Sequence, residues 1–342
     1  MYESYFNLRI KPFELLPDPR FIFFSKSHKK ALTFLDYGIR ERAGLILLTG
    51  DVGSGKTTLI RDLLGKHYDH VVLAKVFNTR ATTEQLLAMI NEDFGLSVEG
   101  KDKVTLIRDL NTFLVEQYAG GNQPILIIDE AQNLAPEQLE EIRMLSNLEM
   151  ADSKLLQIIL VGQPELRSIL AAPGLLQLRQ RISINCTISP LNRHETEQYI
   201  SHRLEVAGNG SAVTFLPATL DIVYQYSRGI PRLINIICDF LMLSAFAEEM
   251  NEIPEEMVRE VIGDLDFENH YWSTAEDAKD KPVGGHHSPA HEVLALSQET
   301  HALLLDISRR IETIERDVAV MREDGTAASA ETPNKSVCAG MR

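Results

Sequence analysis

The chain has 342 residues, 44% hydrophobic and 24% charged, the composition of an ordinary soluble globular protein with two or three compact units. Lys plus Arg is 34 and Asp plus Glu is 49, so the net charge is 34 − 49 = −15. This argues against a broad coat of duplex-DNA phosphate contacts and against adsorption to an anionic membrane surface.

Along the chain, residues 1–44 form an aromatic and proline-bearing N-terminal segment, with Phe6, Pro12, Phe13, Pro17, Pro19, Phe21, Phe23 and Phe24, closing in a helical pattern over Ser27–Arg42. It holds no basic region followed by an apolar run, so no secretory signal is expected. Residues 45–190 alternate apolar β-type runs with helical patterns. The predicted strands are Leu45–Thr49, Val71–Phe77, Ile125–Asp129, Leu155–Val161 and Ile182–Ile188, and near-continuous apolar runs of this kind suit strands covered on both faces. The predicted helices between them are Thr57–Lys66, Thr83–Phe94, Val104–Tyr118 and Pro136–Leu148. The alternation predicts an α/β fold built on a parallel sheet.

Residues 191–265 read as helices only, over Arg193–Ala207, Pro217–Ser227, Pro231–Glu249 and Pro254–Ile262, a second and smaller all-helical unit. Leu233–Ala247 is apolar but is interrupted by Asn235 and Asp239, and it is too short to span a bilayer. Residues 273–290 have a linker's composition, and 323–342 that of a disordered tail. In the helix predicted over 291–322, Ser297, Thr300, Leu304, Ile307, Ile311, Ile314, Val318 and Met321 alternate at three and four spacings, a coiled-coil-like heptad stripe. The alternative is an amphipathic helix folded on its own body. Three scattered cysteines, Cys186, Cys238 and Cys338, form no CxxC and fit a reducing compartment. His286, His287 and His291 lack a carboxylate or thiol at ligand spacing and read as a linker accident.

Gly50-Asp51-Val52-Gly53-Ser54-Gly55-Lys56-Thr57 matches GxxxxGK[ST] between a strand and a helix, the context a phosphate loop needs. Its glycines let successive N–H groups turn toward phosphates, and the following helix N-terminus adds positive potential. Lys56 reaches the β- and γ-phosphates, Thr57 ligates Mg²⁺, and the adjoining Thr58 completes the ATP-binding stretch. Seventy-two residues after Thr57, Ile125-Leu126-Ile127-Ile128-Asp129-Glu130 brings two carboxylates to the C-terminal end of a buried strand. Ligands sit at that edge of an open α/β sheet. Asp129 is expected to hold Mg²⁺ and Glu130 to polarise the attacking water as general base.

Together these features resemble an AAA+ ATPase. Several segments resemble, more narrowly, the secretion ATPases of the ExeA/GspA type. They are Tyr5-Phe6-Asn7-Leu8 with Pro12-Phe13 and Pro17-Asp18-Pro19-Arg20-Phe21; Leu160-Val161-Gly162-Gln163-Pro164-Glu165-Leu166; Leu178-Arg179-Gln180-Arg181-Ile182; and Gly229-Ile230-Pro231-Arg232-Leu233-Ile234-Asn235. The likeness covers about residues 1–265, and the closest subgroup is the exosortase/PEP-CTERM-locus, exopolysaccharide-associated ATPases. The resemblance implies that Gln163 orients the hydrolytic water and reads the γ-phosphate, where the alternative is a turn glutamine before Pro164. It implies an arginine finger acting in a neighbouring subunit, with Arg181 the choice and Arg179 the runner-up, where the alternative is pairing with a surface carboxylate. It implies that Arg232 is the sensor of a helical lid. Phe13 and His28 would flank the adenine.

The expected function is an ATP-hydrolysing protein that supplies energy for, or assembles, an envelope secretion or exopolysaccharide export system. It would be cytoplasmic, self-associating with ATP, and recruited to the inner membrane by a secretion or polysaccharide-export component through its C-terminal helix. The larger family members continue into a membrane span and a peptidoglycan-binding domain, so peptidoglycan remodelling is not carried over. The competing reading is a DNA-transposition helper ATPase that binds DNA with ATP.

Overall fold

The computed structural model describes residues 2–16, 18–65, 70–77, 81–150, 153–267 and 271. They lie within one compact unit, Met1–Ser273. The expected linker, heptad helix and tail, the three linker histidines and Cys338 lie outside the described residues.

Five strands form one parallel sheet: β1 (Leu45–Gly50), β2 (Val71–Val76), β3 (Gln123–Ile128), β4 (Gln157–Gly162) and β5 (Ile182–Ile188). Their order is β2-β3-β4-β1-β5. In β1, β3 and β4 the apolar runs are continuous because both faces are covered, while the edge strand β5 departs from that expectation and exposes Ser183, Asn185 and Thr187 on one face. Leu45, Leu47, Leu126, Ile128, Ile158 and Leu160 enter one buried layer, while Ile46, Leu48, Ile125, Ile127, Ile159 and Val161 enter the other.

Helices α1 (Tyr2–Tyr5), α2 (Lys26–Arg40), α3 (Lys56–Gly65), α4 (Thr83–Asp93), α5 (Lys103–Ala119) and α6 (Pro136–Leu145) come in chain order around the first three strands. Ala31, Leu35 and Ile39 of α2 pack with Leu59, Ile60 and Leu63 of α3 on one face. The apolar residues of α4, α5 and α6 cover the other. Ser25 caps α2 by accepting from the His28 N–H, and Thr82 and Gln85 form a reciprocal capping box on α4. Two short helices beyond the prediction, α7 (Glu165–Leu170) and α8 (Leu176–Gln180), bury Leu166, Leu170 and Leu178 on the α6 side of the sheet. Both fall below the length at which helical periodicity is legible.

The smaller unit is built from α9 (Arg193–Ala207), α10 (Pro217–Ser227), α11 (Pro231–Ala247) and α12 (Glu255–Asp264). It departs from the all-helical expectation in one respect. Strands β6 (Thr214–Phe215) and β7 (Glu252–Ile253) form a two-residue parallel ladder joining the ends of two connections. Such short pairings carry no alternation to read.

The N-terminal segment is part of this unit. Tyr2, Phe6, Leu8, Phe13 and Phe21 share a core with Leu204, Ile234, Ile237, Leu241 and Val258. The Arg9 N–H donates to the Ala207 carbonyl at 2.7 Å and the Asn209 amide to the Phe6 carbonyl at 2.8 Å. Arg203 fixes the next stretch. Its guanidinium donates to the carbonyls of Pro12 and, at 3.2 Å, Glu14, and lies 4.5 Å from the centre of the Phe21 ring.

Candidate functional site

The strand order brings three loops together. At the carboxyl edge, β1 leads into residues 50–57, its neighbour β4 into Gln163, and β3 beyond it into Asp129 and Glu130. Thr57 and Asp129, 72 positions apart, and Glu130 and Gln163, 33 apart, thus meet at one end of a rigid sheet, where α/β folds hold ligands.

The loop curls over its own lysine. Lys56, at the start of α3, is 6% exposed, and its Nζ donates to the carbonyls of Gly50 at 2.8 Å and Asp51 at 2.9 Å. Burial lowers the ammonium pKa from its ordinary value, opposed by the nearby carboxylates of Glu130, Asp129 and Asp51. Thr57 Oγ1 donates to Asp129 Oδ2 at 2.9 Å, while Asp129 Oδ1 accepts from the Glu130 N–H at 2.9 Å. Ser54 Oγ is buried without a hydrogen-bond partner. Gly53 is left-handed, with φ 76°, and a Cβ there would stand 2.4 Å from Arg232 Cβ.

Glu130 sits in the left-handed region, with φ 52° and ψ 38°. Its Oε2 accepts from Gln163 Nε2 at 3.2 Å and from Gln132 Nε2 at 2.5 Å. Arg232 occupies the first turn of α11, where Pro231 supplies the helix start, and its N–H donates to the Gly53 carbonyl at 3.3 Å. The lid therefore touches the loop directly. Arg232, Lys56, Thr57, Thr58 and Glu130 all line one cleft of ≈ 300 Å³.

The apolar end of this cleft is walled by Leu15, Phe21, Phe23, Leu191 and Tyr199. The structure corrects one expectation here: Phe13 is 1% exposed and lies in the core of the lid rather than on the cleft wall. Sequence density of aromatics could not separate wall from core. His28 does line the cleft, but it serves the phosphate loop. Its Nε2 lies 3.0 Å from the Ser54 carbonyl and its Nδ1 2.7 Å from Ser25 Oγ, an arrangement satisfied by a neutral ring with the proton on Nε2. Burial lowers its pKa, which favours the same neutral form.

Two expected residues lie elsewhere. Arg181 closes α8 and Arg179, exposed on it, donates weakly to the Ala171 carbonyl at 3.4 Å; neither lines the cleft. Sequence reasoning missed Gln132, and it missed the cluster of Arg203, Tyr199 and Asn235 that lines the cleft. Arg203 Nη1 donates to Tyr199 Oη at 2.8 Å, and Tyr199 Oη lies 2.9 Å from the side-chain amide of Asn235, one turn along α11 from Arg232. A signal for Arg203 existed: it shares the apolar stripe of its helix with Ile200, Leu204 and Ala207.

The residues fit a nucleoside triphosphate with a divalent ion. The loop amides and Lys56 suit the phosphates, the Thr57 hydroxyl and Asp129 carboxylate are hard oxygen donors side by side, and the buried Ser54 hydroxyl lacks a partner that a bound group could supply. Among the described residues there is no group of three or more His, Cys, Asp and Glu that could hold a metal.

Residues 39–170 match the family described as AAA domain. Among solved structures the chain superposes on the Aeropyrum pernix ORC2 protein in its ADPNP–ADP complexes, with a TM-score of 0.59 at 19% identity over 80% of this chain and 74% of that one. The chain has an α/β AAA fold. The chain is also similar to general secretion pathway protein A of Aeromonas hydrophila, with 40% identity over 254 residues, which is 74% of this chain and 46% of that protein. A second relative is the Mu-like prophage FluMu DNA transposition protein B of Haemophilus influenzae, 27% identical over 158 residues, 45% of this chain and 51% of that protein. The chain spans about half the length of these curated relatives. No helix among the described residues is long and apolar enough to cross a membrane.

Proposed function

We propose that this AAA protein binds MgATP between core and lid, hydrolyses it, and uses the cycle to drive or assemble an envelope secretion system. The observation that carries the chemistry is the convergence of Lys56, the Thr57–Asp129 pair and the Glu130–Gln163 pair at one sheet edge. The loop amides of Gly50, Asp51, Val52, Gly53, Ser54 and Gly55 and the Lys56 ammonium hold the phosphates, with Thr58 beside them. Thr57 and Asp129 would hold Mg²⁺, which would supply positive charge against the phosphates. Glu130 takes the proton of the attacking water and Gln163 orients that water. Arg232 supplies the lid's contact to the γ-phosphate, and Arg181, or Arg179 beside it, reaches the site of an adjoining copy.

The secretion context rests on the likeness to general secretion pathway protein A over 74% of this chain. The narrower proposal, an exopolysaccharide-export ATPase of the exosortase/PEP-CTERM type, rests on the N-terminal segment's resemblance alone. In this reading the chain self-associates with ATP and meets a membrane-associated component through its C-terminal helix.

The test is turnover, nucleotide titration and sizing of point variants. Lys56→Ala is expected to lose ATP binding by roughly 100-fold or more, while Glu130→Gln keeps binding, loses turnover about 100-fold or more and accumulates as an assembled species. Glu130→Gln hydrolysing at the wild-type rate would remove the assignment. The likeness to a DNA transposition protein supports a second reading, an ATP-dependent DNA-binding helper. The net charge of −15 argues against it. Salt-sensitive, ATP-dependent retention of DNA on a filter would favour it over secretion.

A further inference from the structure

Gln132 lies in the tight turn Ala131–Asn133 that follows Glu130. Both ends of its side-chain amide are engaged within the site. Nε2 donates to Glu130 Oε2 at 2.5 Å, and Oε1 accepts from the main-chain N–H of Gln163 at 3.0 Å. Gln163 Nε2 converges on the same carboxylate oxygen. The end of β4 leaves room for this bridge: a Cβ at Gly162 would stand 2.8 Å from Gln132 Oε1. Packing of the turn is carried by its neighbours Ala131 and Leu134, both buried, whereas Gln132 is half-buried and its side-chain hydrogen bonds are polar contacts to Glu130 and Gln163.

We propose that Gln132 is a positioning residue that joins the Glu130 carboxylate to the first residue beyond β4, so that base and γ-phosphate reader act as one rigid unit. The inference rests on Glu130 being the general base. Its physical content is that Glu130 has a left-handed backbone, a costly conformation for a non-glycine residue, and that the Gln132 and Gln163 amides converge on its Oε2. Two donors meet on that oxygen, and a primary amide of this length can donate to it while accepting from the Gln163 backbone. A carboxylate at 132 has no donor, and an apolar side chain has neither group.

The test uses the full chain with Gln132→Ala, the size-preserving Gln132→Met, Glu130→Gln and the double variant Glu130→Gln/Gln132→Ala. MgATP turnover, affinity for a fluorescent ATP analogue and thermal melting are measured on each. Both Gln132 variants are expected to lose roughly 30–100-fold in kcat, the scale of a misplaced catalytic geometry, with KM and nucleotide affinity within about threefold of wild type. The double variant is expected to turn over no more slowly than Glu130→Gln alone. Turnover within about twofold of wild type, or above it, overturns the proposal, as does a loss of nucleotide affinity that parallels the rate. Glu130→Gln at the wild-type rate is a different outcome: it overturns the base assignment itself, and the proposal with it.

Discussion

His28 fixes the phosphate loop with a ring that must stay neutral. Its buried position lowers the imidazole pKa, so the unfolded chain binds a proton that the folded chain does not. The stability contributed is complete above about pH 6.5 and is lost as pH falls from there through the folded value. The melting temperature is therefore expected to drop between about pH 7 and pH 5.5, above the carboxylate range. His28→Gln, whose amide can still donate to the Ser54 carbonyl, is expected to flatten that slope; parallel curves would speak against the neutral anchor. Arg203 gives a second residue-scale expectation. Arg203→Met keeps the aliphatic stem but leaves the Pro12 and Glu14 carbonyls without their donor, at about 1–3 kcal/mol each. Calorimetry should show the melting temperature lower by roughly 5–15 °C. Legibility differed by residue for physical reasons. Lys56, Thr57, Asp129 and Glu130 stand in local strings whose chemistry needs their spacing. Gln132, Arg203 and His28 act through partners 26 to 191 positions away or through a backbone N–H, and no local pattern encodes those.

At the scale of elements, β1, β3 and β4 were readable because double-sided burial demands unbroken apolar runs, whereas the edge strand β5 alternates, with Ser183, Asn185 and Thr187 exposed. The strand order was not readable, since it is set by helix packing and crossover geometry. Only the order puts the β4 exit between the phosphate loop and the acidic pair. The β6–β7 ladder was illegible because two residues have no periodicity. The contact between the phosphate loop and α11 yields a prediction of its own. Gly53→Ala places a Cβ in a left-handed position and against Arg232, so the first turn of α11 must retreat from the loop. Nucleotide affinity is expected to fall about tenfold or more, with far-ultraviolet circular dichroism unchanged, since left-handed strain and overlap cost on the order of 1–3 kcal/mol. Unaltered affinity would mean that loop and lid move independently.

For the whole molecule, the N-terminal segment reads as a separate lead-in yet packs as a structural member of the lid. Removing residues 2–13 would expose the apolar faces of α9 and α11, and limited proteolysis is expected to cut within 193–262 while 45–188 resists. An unchanged digestion pattern would show that the lid holds without it. The same packing orders events during synthesis. Phe6 waits for Asn209, 203 positions downstream, and Tyr2 for Asp239. At about 5–20 residues per second, the segment's aromatic side chains have no lid to bury them for roughly 10–40 s after they are made. During that interval a nascent chain offers a sticky apolar end beside a sheet that is still gathering its strands, the kind of surface on which chaperones bind and aggregates start.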